Sequence, residues 1–271
     1  MFNALFWMFK QENFKKHFVY LLSIYLIFLS ISGLLIVINE HFITDYLIQY
    51  IILLFVIVFC ICPFLCFQGY FWNLTENIIY RQTDISSSNI YNGRVKEIYK
   101  IELPEIHTGK FIWRGISSIV ASILLCYPLI ILVMVSVLYS SEAVSFYDAS
   151  IMTLLYVILF GLVGLLIPAL LWNYAKQDSI FAVWNFSKAV HIMGTYFGKY
   201  LWNTILFIVL MFINYCLLSF LTSVLGINSL DVANFPVFKY LIFLILEYAI
   251  SIYWIYVNAY LLGTIAPPNE G

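Results

Sequence analysis

"LIFLILEYAISIYWIYVNAY", Leu241 to Tyr260, holds a single charged residue, Glu247, near its middle. A hydrocarbon core about 30 Å thick is crossed by about 20 apolar residues in a helix, so this stretch reads as a membrane span. A carboxylate at that depth is costly unless it faces a polar neighbour or a wet cavity. On a wheel of about 100° per residue, Tyr240, Ser251, Trp254 and Asn258 all fall within about 40° of Glu247. The polar groups of this span therefore share one stripe, expected to face the bundle interior. No Lys or Arg falls inside another span, which leaves Asn214 of the fifth span and the serines of the first and third spans as candidate partners for Glu247. Two roles stay open for Glu247: a protonated acid that stitches helices together, or a titratable group on a transport path.

The rest of the chain has the same character. Of its 271 residues 63% are hydrophobic and only 10% charged, against about 25% charged in a soluble domain. So few charges could not keep that much apolar surface in water. The apolar runs exceed core-helix length and lack the two-residue alternation of barrel strands. The fold class expected is all-α, a polytopic bundle in one membrane domain. Its spans lie near Phe18–Ile38, Leu47–Phe67, Gly115–Tyr139, Ser150–Trp172, Leu201–Ser223 and Lys239–Leu262.

Charge sets the expected sidedness. Of the 13 Lys and Arg residues, all but Lys239 lie in the N-terminal segment, in loop 68–114 or in loop 173–200. Positively charged loops stay on the cytoplasmic side, so both termini are expected there. The apolar run from Phe18 is too long for a cleavable leader and is read as an anchor.

Both long loops begin with partly polar helical patterns. After Pro63, residues Phe67, Phe71, Leu74 and Ile78 form a stripe away from Asn73, Glu76 and Asn77. After the fourth span, Asp178 and Ser179 are candidate helix caps. Val183, Phe186, Val190 and Phe197 then share a face opposite Asn185 and Lys188, as in helices that lie in the headgroup layer. The stretch Thr83–Lys100, rich in Ser and Asn, reads as a loop.

Little in the sequence points to chemistry. There is no Gly-rich phosphate loop, no G-x-S-x-G and no H-E-x-x-H. The four histidines are scattered, and the five cysteines, all within spans, read as packing residues rather than a metal site. No enzyme activity, cofactor or metal is expected. The loop cations are interspersed with Glu76, Asp84, Glu97, Glu102 and Glu105, which argues against nucleic acid and suits anionic lipid headgroups or a partner subunit.

Three segments in order, "KQENFKKHFVYLLSIYLIF" (Lys10–Phe28), "CPFLCFQGYFWN" (Cys62–Asn73) and "LPEIHTGKFIWRGI" (Leu103–Ile116), resemble domain-of-unknown-function family 4013 (DUF4013) of bacteria and archaea. The resemblance runs on to "NYAKQDSIFAVWNF" and thins over the last two spans. It implies a multi-span protein of the cell membrane and carries no established activity. Gly69-Tyr70 and Leu103-Pro104-Glu105 are its motif positions, read as one structural element on the cytoplasmic face. In that element Gly69 admits a neighbouring backbone and Pro104 turns the chain into the third span. The function expected is a non-enzymatic component of a transport or export system, working beside an ATPase or another membrane subunit. The alternative is a scaffold or a protective, immunity-type protein that binds lipid or a partner. A bilayer-embedded enzyme ranks behind both.

Sidedness is testable by cysteine labelling in cells, on a background without native cysteines. A membrane-impermeant maleimide should reach Ser141→Cys and Asn228→Cys from outside but not Ser87→Cys or Lys188→Cys. Strong external labelling at Ser87→Cys would reverse the topology.

Overall fold

The computed structural model describes residues 5–11, 13–88, 103–140, 146–225 and 237–266. The helices are α1 (Phe14–Phe42), α2 (Tyr46–Ser88), α3 (Thr108–Ser140), α4 (Phe146–Gln177), α5 (Phe186–Thr195), α6 (Phe197–Leu225) and α7 (Val237–Gly263). Short 3-10 turns occupy Trp7–Lys10 and Ile180–Trp184, and the described residues contain no strand. Among the described residues five helices, α1, α2, α3, α6 and α7, are long and apolar enough to cross a membrane. α4 occupies the place of the fourth expected span, with most side chains of its first half outside the described set. The chain is thus a polytopic helical membrane bundle. Helices suit it because each satisfies its own backbone hydrogen bonds where no water can.

α2 departs furthest from the outline of the spans. It continues without a break through Pro63 and extends to Ser88, well past Phe67 and into the stretch read as a loop from Thr83. Residues 89–102, which hold the remainder of that loop, lie outside the described residues. Asp178 and Ser179, expected as caps, do not cap. Asp178 takes a left-handed conformation (φ 48°), which Asp tolerates better than most residues. Ser179 makes no capping hydrogen bond. Asn185 caps α5 instead, its side chain accepting from the Lys188 backbone N–H. The 3-10 turn before it shifts the phase, so Val183 is buried while Phe186, Val190 and Phe197 stay exposed. Among the cysteines, Cys66 is buried and Cys62 half-buried, while Cys60, Cys126 and Cys216 are exposed on apolar faces.

Burial is concentrated at the end of the bundle where α1, α3 and α6 begin and α2, α4 and α7 finish, which is also the end that carries the cations. Tyr70, Leu74, Phe111, Trp172, Tyr174 and Tyr256 are buried there. Toward the other end, side chains such as Leu54, Phe212 and Phe220 are exposed by more than 60%. In a bundle of this composition such faces are surfaces for lipid.

Two glycines bring α2 and α3 together at the basic end. A Cβ added to Gly69 would overlap the carbonyl of Phe111, and one added to Gly115 would overlap the carbonyl of Leu65. Each helix thus offers a glycine to the other's backbone about one turn apart, the close approach that small residues permit between membrane helices. A buried polar chain ties in α1 and α7. The Tyr70 and Tyr256 hydroxyls lie 2.7 Å apart, and Tyr70 also meets His17 Nδ1 at 3.3 Å.

The segment before α1 folds back over α7. Trp7 and Met8 are buried, the Trp7 indole stacks on Tyr260, and its N–H donates to the Tyr256 carbonyl at 3.3 Å. Tyr253 donates to the Leu5 carbonyl at 3.3 Å. The chain then turns into α1 through Asn13, at a left-handed φ of 67°.

Gly69→Leu and Gly115→Leu should each lower the yield of monodisperse protein severalfold, because a backbone carbonyl cannot rotate away as a side chain can. Overpacking alone costs about 1–3 kcal/mol. Gly33→Leu, where an added Cβ meets nothing within 4 Å, should leave the yield unchanged. Size-exclusion profiles in mild detergent make the comparison.

Candidate functional site

Arg114 is the most heavily partnered side chain at the basic end. It lies in the second turn of α3 and is 3% exposed. Its guanidinium donates to Asn73 Oδ1 at 3.0 Å and to Glu76, both on α2, and to the Ala175 carbonyl of α4 at 3.2 Å. Its Nε faces Asp178 Oδ1 at 3.2 Å, an ion pair without hydrogen-bond alignment. Asn73 is held by the Gly69 carbonyl at 2.8 Å, so the glycine crossing and the arginine share one turn of α2. Beside them the Ser117 and Tyr174 hydroxyls lie 2.7 Å apart, and Tyr174 packs edge-on against Trp72. The planar fork of a guanidinium can serve several acceptors at once. Here it joins α3 to α2 and to the end of α4.

The motif positions fall around this node. Gly69 and Tyr70 are buried, and Leu103 packs against the cluster that holds Tyr70 and Phe111. Pro104 is buried just before α3 begins. Glu105 faces outward and, among the described residues, meets His107 at 3.3 Å. The polar stripe of α7 does not converge on one place. Glu247 is half-buried, within electrostatic reach of Tyr25 on α1, and makes no hydrogen bond among the described residues. Ser251 is exposed, and the Tyr240 side chain lies outside the described set. Asn214 on α6 and Asn258 each bury a side-chain oxygen that has no partner among the described residues. Among those residues no group of His, Cys, Asp and Glu is arranged to hold a metal ion.

Among the described residues a cavity of about 380 Å³ lies between α2, α4, α6 and α7, with room for a ligand. Phe71, Leu171, Phe207 and Ile255 give it apolar walls. Gln68, Asn203, Thr204 and Asn258 supply its polar groups. Asn203 donates to the Leu261 carbonyl at 2.9 Å and Thr204 to the Tyr200 carbonyl at 2.9 Å. Gln68 and Asn258 make no hydrogen bond to described residues. Mostly apolar walls with a few placed polar groups, at this volume, are the usual build of a small-molecule site. Of the candidate polar residues picked from the sequence, Asn258 reaches this cavity, and so do Phe67 and Phe71 of the stripe after Pro63. The remaining lining residues come from helices distant in sequence, so no local pattern brings them together.

A family model described as "Protein of unknown function (DUF4013)" matches residues 52–225. The match begins within α2 and runs to the end of α6. It takes in the glycine crossing, Arg114 and its partners, and leaves out the Lys10–Phe28 segment and α7. No curated protein and no solved structure matches the chain.

Removing Arg114 would strand two acids. Breaking a buried pair from one side costs about 3–5 kcal/mol, a range reduced here because Asp178 is half-exposed. Arg114→Met should therefore lower the melting temperature in detergent by several degrees. Arg114→Lys should recover only part of it, since an ammonium cannot fork to Asn73, Glu76 and Ala175 together. Full recovery by lysine would reduce the node to a simple charge contact.

Proposed function

We propose that this chain, which belongs to the DUF4013 family, is a non-enzymatic membrane component that holds an apolar or amphipathic molecule. On this reading it serves transport or export beside a partner subunit, with its basic end at the cytoplasmic face of the cell membrane. The observation that carries the reading is the cavity between α2, α4, α6 and α7, with its apolar walls and the unused hydrogen-bonding groups of Gln68 and Asn258. The sequence has no nucleotide-binding motif, so active movement of such a molecule would depend on a partner or an ion gradient. Around the basic end, the exposed apolar edge of Phe186, Val190 and Phe197 would rest on the leaflet beside anionic headgroups. The alternative, a scaffold or protective protein, draws support from the long exposed apolar faces of α2 and α6, on which another membrane protein could pack.

Purification in mild detergent, followed by native mass spectrometry, tests the binding reading. The protein should retain a small apolar molecule, and Leu171→Trp, which fills the cavity, should reduce its occupancy at least severalfold while the protein stays monodisperse. Unchanged occupancy in Leu171→Trp would remove the cavity from the function. A co-purifying ATPase would support the transport role, and a lone membrane protein partner the scaffold.

A further inference from the structure

The helices around the cavity form a ring that is closed on three sides. α2 packs against α4 and against α7, and α7 packs against α6. The fourth side, between α4 and α6, has little direct packing among the described residues. Phe207, which lines the cavity, and Leu165, at the edge of this side, are both substantially exposed. Two helices read as membrane spans meet here, so an opening between them faces the bilayer rather than water.

Among the described residues a side chain of α6 bridges this side. Tyr200, at the start of α6 and 1% exposed, donates its hydroxyl hydrogen to the Leu165 carbonyl of α4. Leu165 lies three residues before Pro168, which has no N–H and leaves the Gly164 carbonyl without its helical donor. This turn of α4 therefore has one backbone hydrogen bond fewer, and the Tyr200 hydroxyl ties it to α6. Releasing that one bond frees α4 from α6 on a side where little other packing holds the two together.

We propose that the cavity takes the acyl chain of a membrane lipid sideways from the bilayer between α4 and α6, and that Tyr200 is the latch on this opening. The inference rests on the binding reading above and adds the ligand class and its route. Walls such as Phe71, Leu171 and Ile255 suit a hydrocarbon chain. Gln68 and Asn258 leave hydrogen-bonding groups for a polar linkage near the head of the lipid.

The test uses the full chain in vesicles of phosphatidylethanolamine and phosphatidylglycerol, doped with a phospholipid that bears a diazirine midway along one acyl chain. Adducts are mapped by mass spectrometry, and labelling of the cavity walls is expressed relative to the lipid-exposed Phe212. In the wild type, adducts should appear on Phe207 and Leu171. Tyr200→Phe keeps the packing and removes the hydroxyl, so the wall-to-Phe212 ratio should rise about two- to tenfold, the range expected for loss of one hydrogen bond from the closed state. Tyr200→Leu, which also lacks the hydroxyl, should shift the ratio the same way and serves if Tyr200→Phe is poorly folded. Wall labelling unchanged in both variants would overturn the latch. Equal wall labelling by a water-soluble diazirine that does not partition into the vesicles would overturn the bilayer route. Neither result bears on whether Leu171→Trp displaces a bound molecule, so the binding reading stands or falls separately.

Discussion

A guanidinium removed from water must find enough acceptors to replace those it gave up, and the basic end of this bundle is organised around that requirement. Arg114 draws Asn73 and Glu76 from α2 and the Ala175 carbonyl and Asp178 from the end of α4. These groups can converge only if α2 and α3 cross closely, which Gly69 and Gly115 allow. They also require α4 to end where it does, with its last carbonyls pointing at α3. The charge, the crossing and the helix terminus are thus one constraint seen from three helices. Hydrophobic attraction between helices is weak in lipid, and directional contacts of this kind set the arrangement more strongly than apolar area does.

The two proline-bearing helices show how that arrangement treats a weakened turn. Pro63 lies within α2, the best-packed helix of the bundle, and α2 runs on through it to Ser88. Pro168 lies in α4 next to a side with little packing, and there the hydroxyl of Tyr200 from α6 bonds the Leu165 carbonyl of the preceding turn. The same covalent defect is surrounded by packed helices in one place and has a polar tie to another helix in the other, and the difference lies in the neighbours.

The helical class and the membrane spans were legible because a bilayer imposes length and composition on each segment separately. Gly69 was legible as a point of close approach, since a glycine before an aromatic run at a span end has few other uses. Its contact, the Phe111 carbonyl, was not, because nothing in a single sequence registers one helix against another. Arg114 read only as one more cation beside a span. The signal that could have singled it out was the i, i+3 pair Asn73 and Glu76 on a helix pointing back toward it. The polar residues of α7 share one side of the wheel, yet they have separate surroundings: Ser251 is exposed, Glu247 lies near Tyr25, and Asn258 borders the cavity. A wheel gives the direction of each side chain, whereas depth along the helix decides which neighbours it meets.

The contact between the Trp7 indole and the Tyr256 carbonyl joins residues 249 positions apart. At roughly 5–20 residues per second of synthesis, the ribosome takes about ten to fifty seconds to get from one to the other. Throughout that interval Trp7 has no Tyr256 or Tyr260 to pack on, while α1 and α2 can already have paired as a hairpin. α7 therefore arrives at a partly built bundle and is received by the segment that precedes α1. Closure of that segment over α7 waits until α7 has been made, so the packing of Trp7 follows rather than guides the assembly of the helices between.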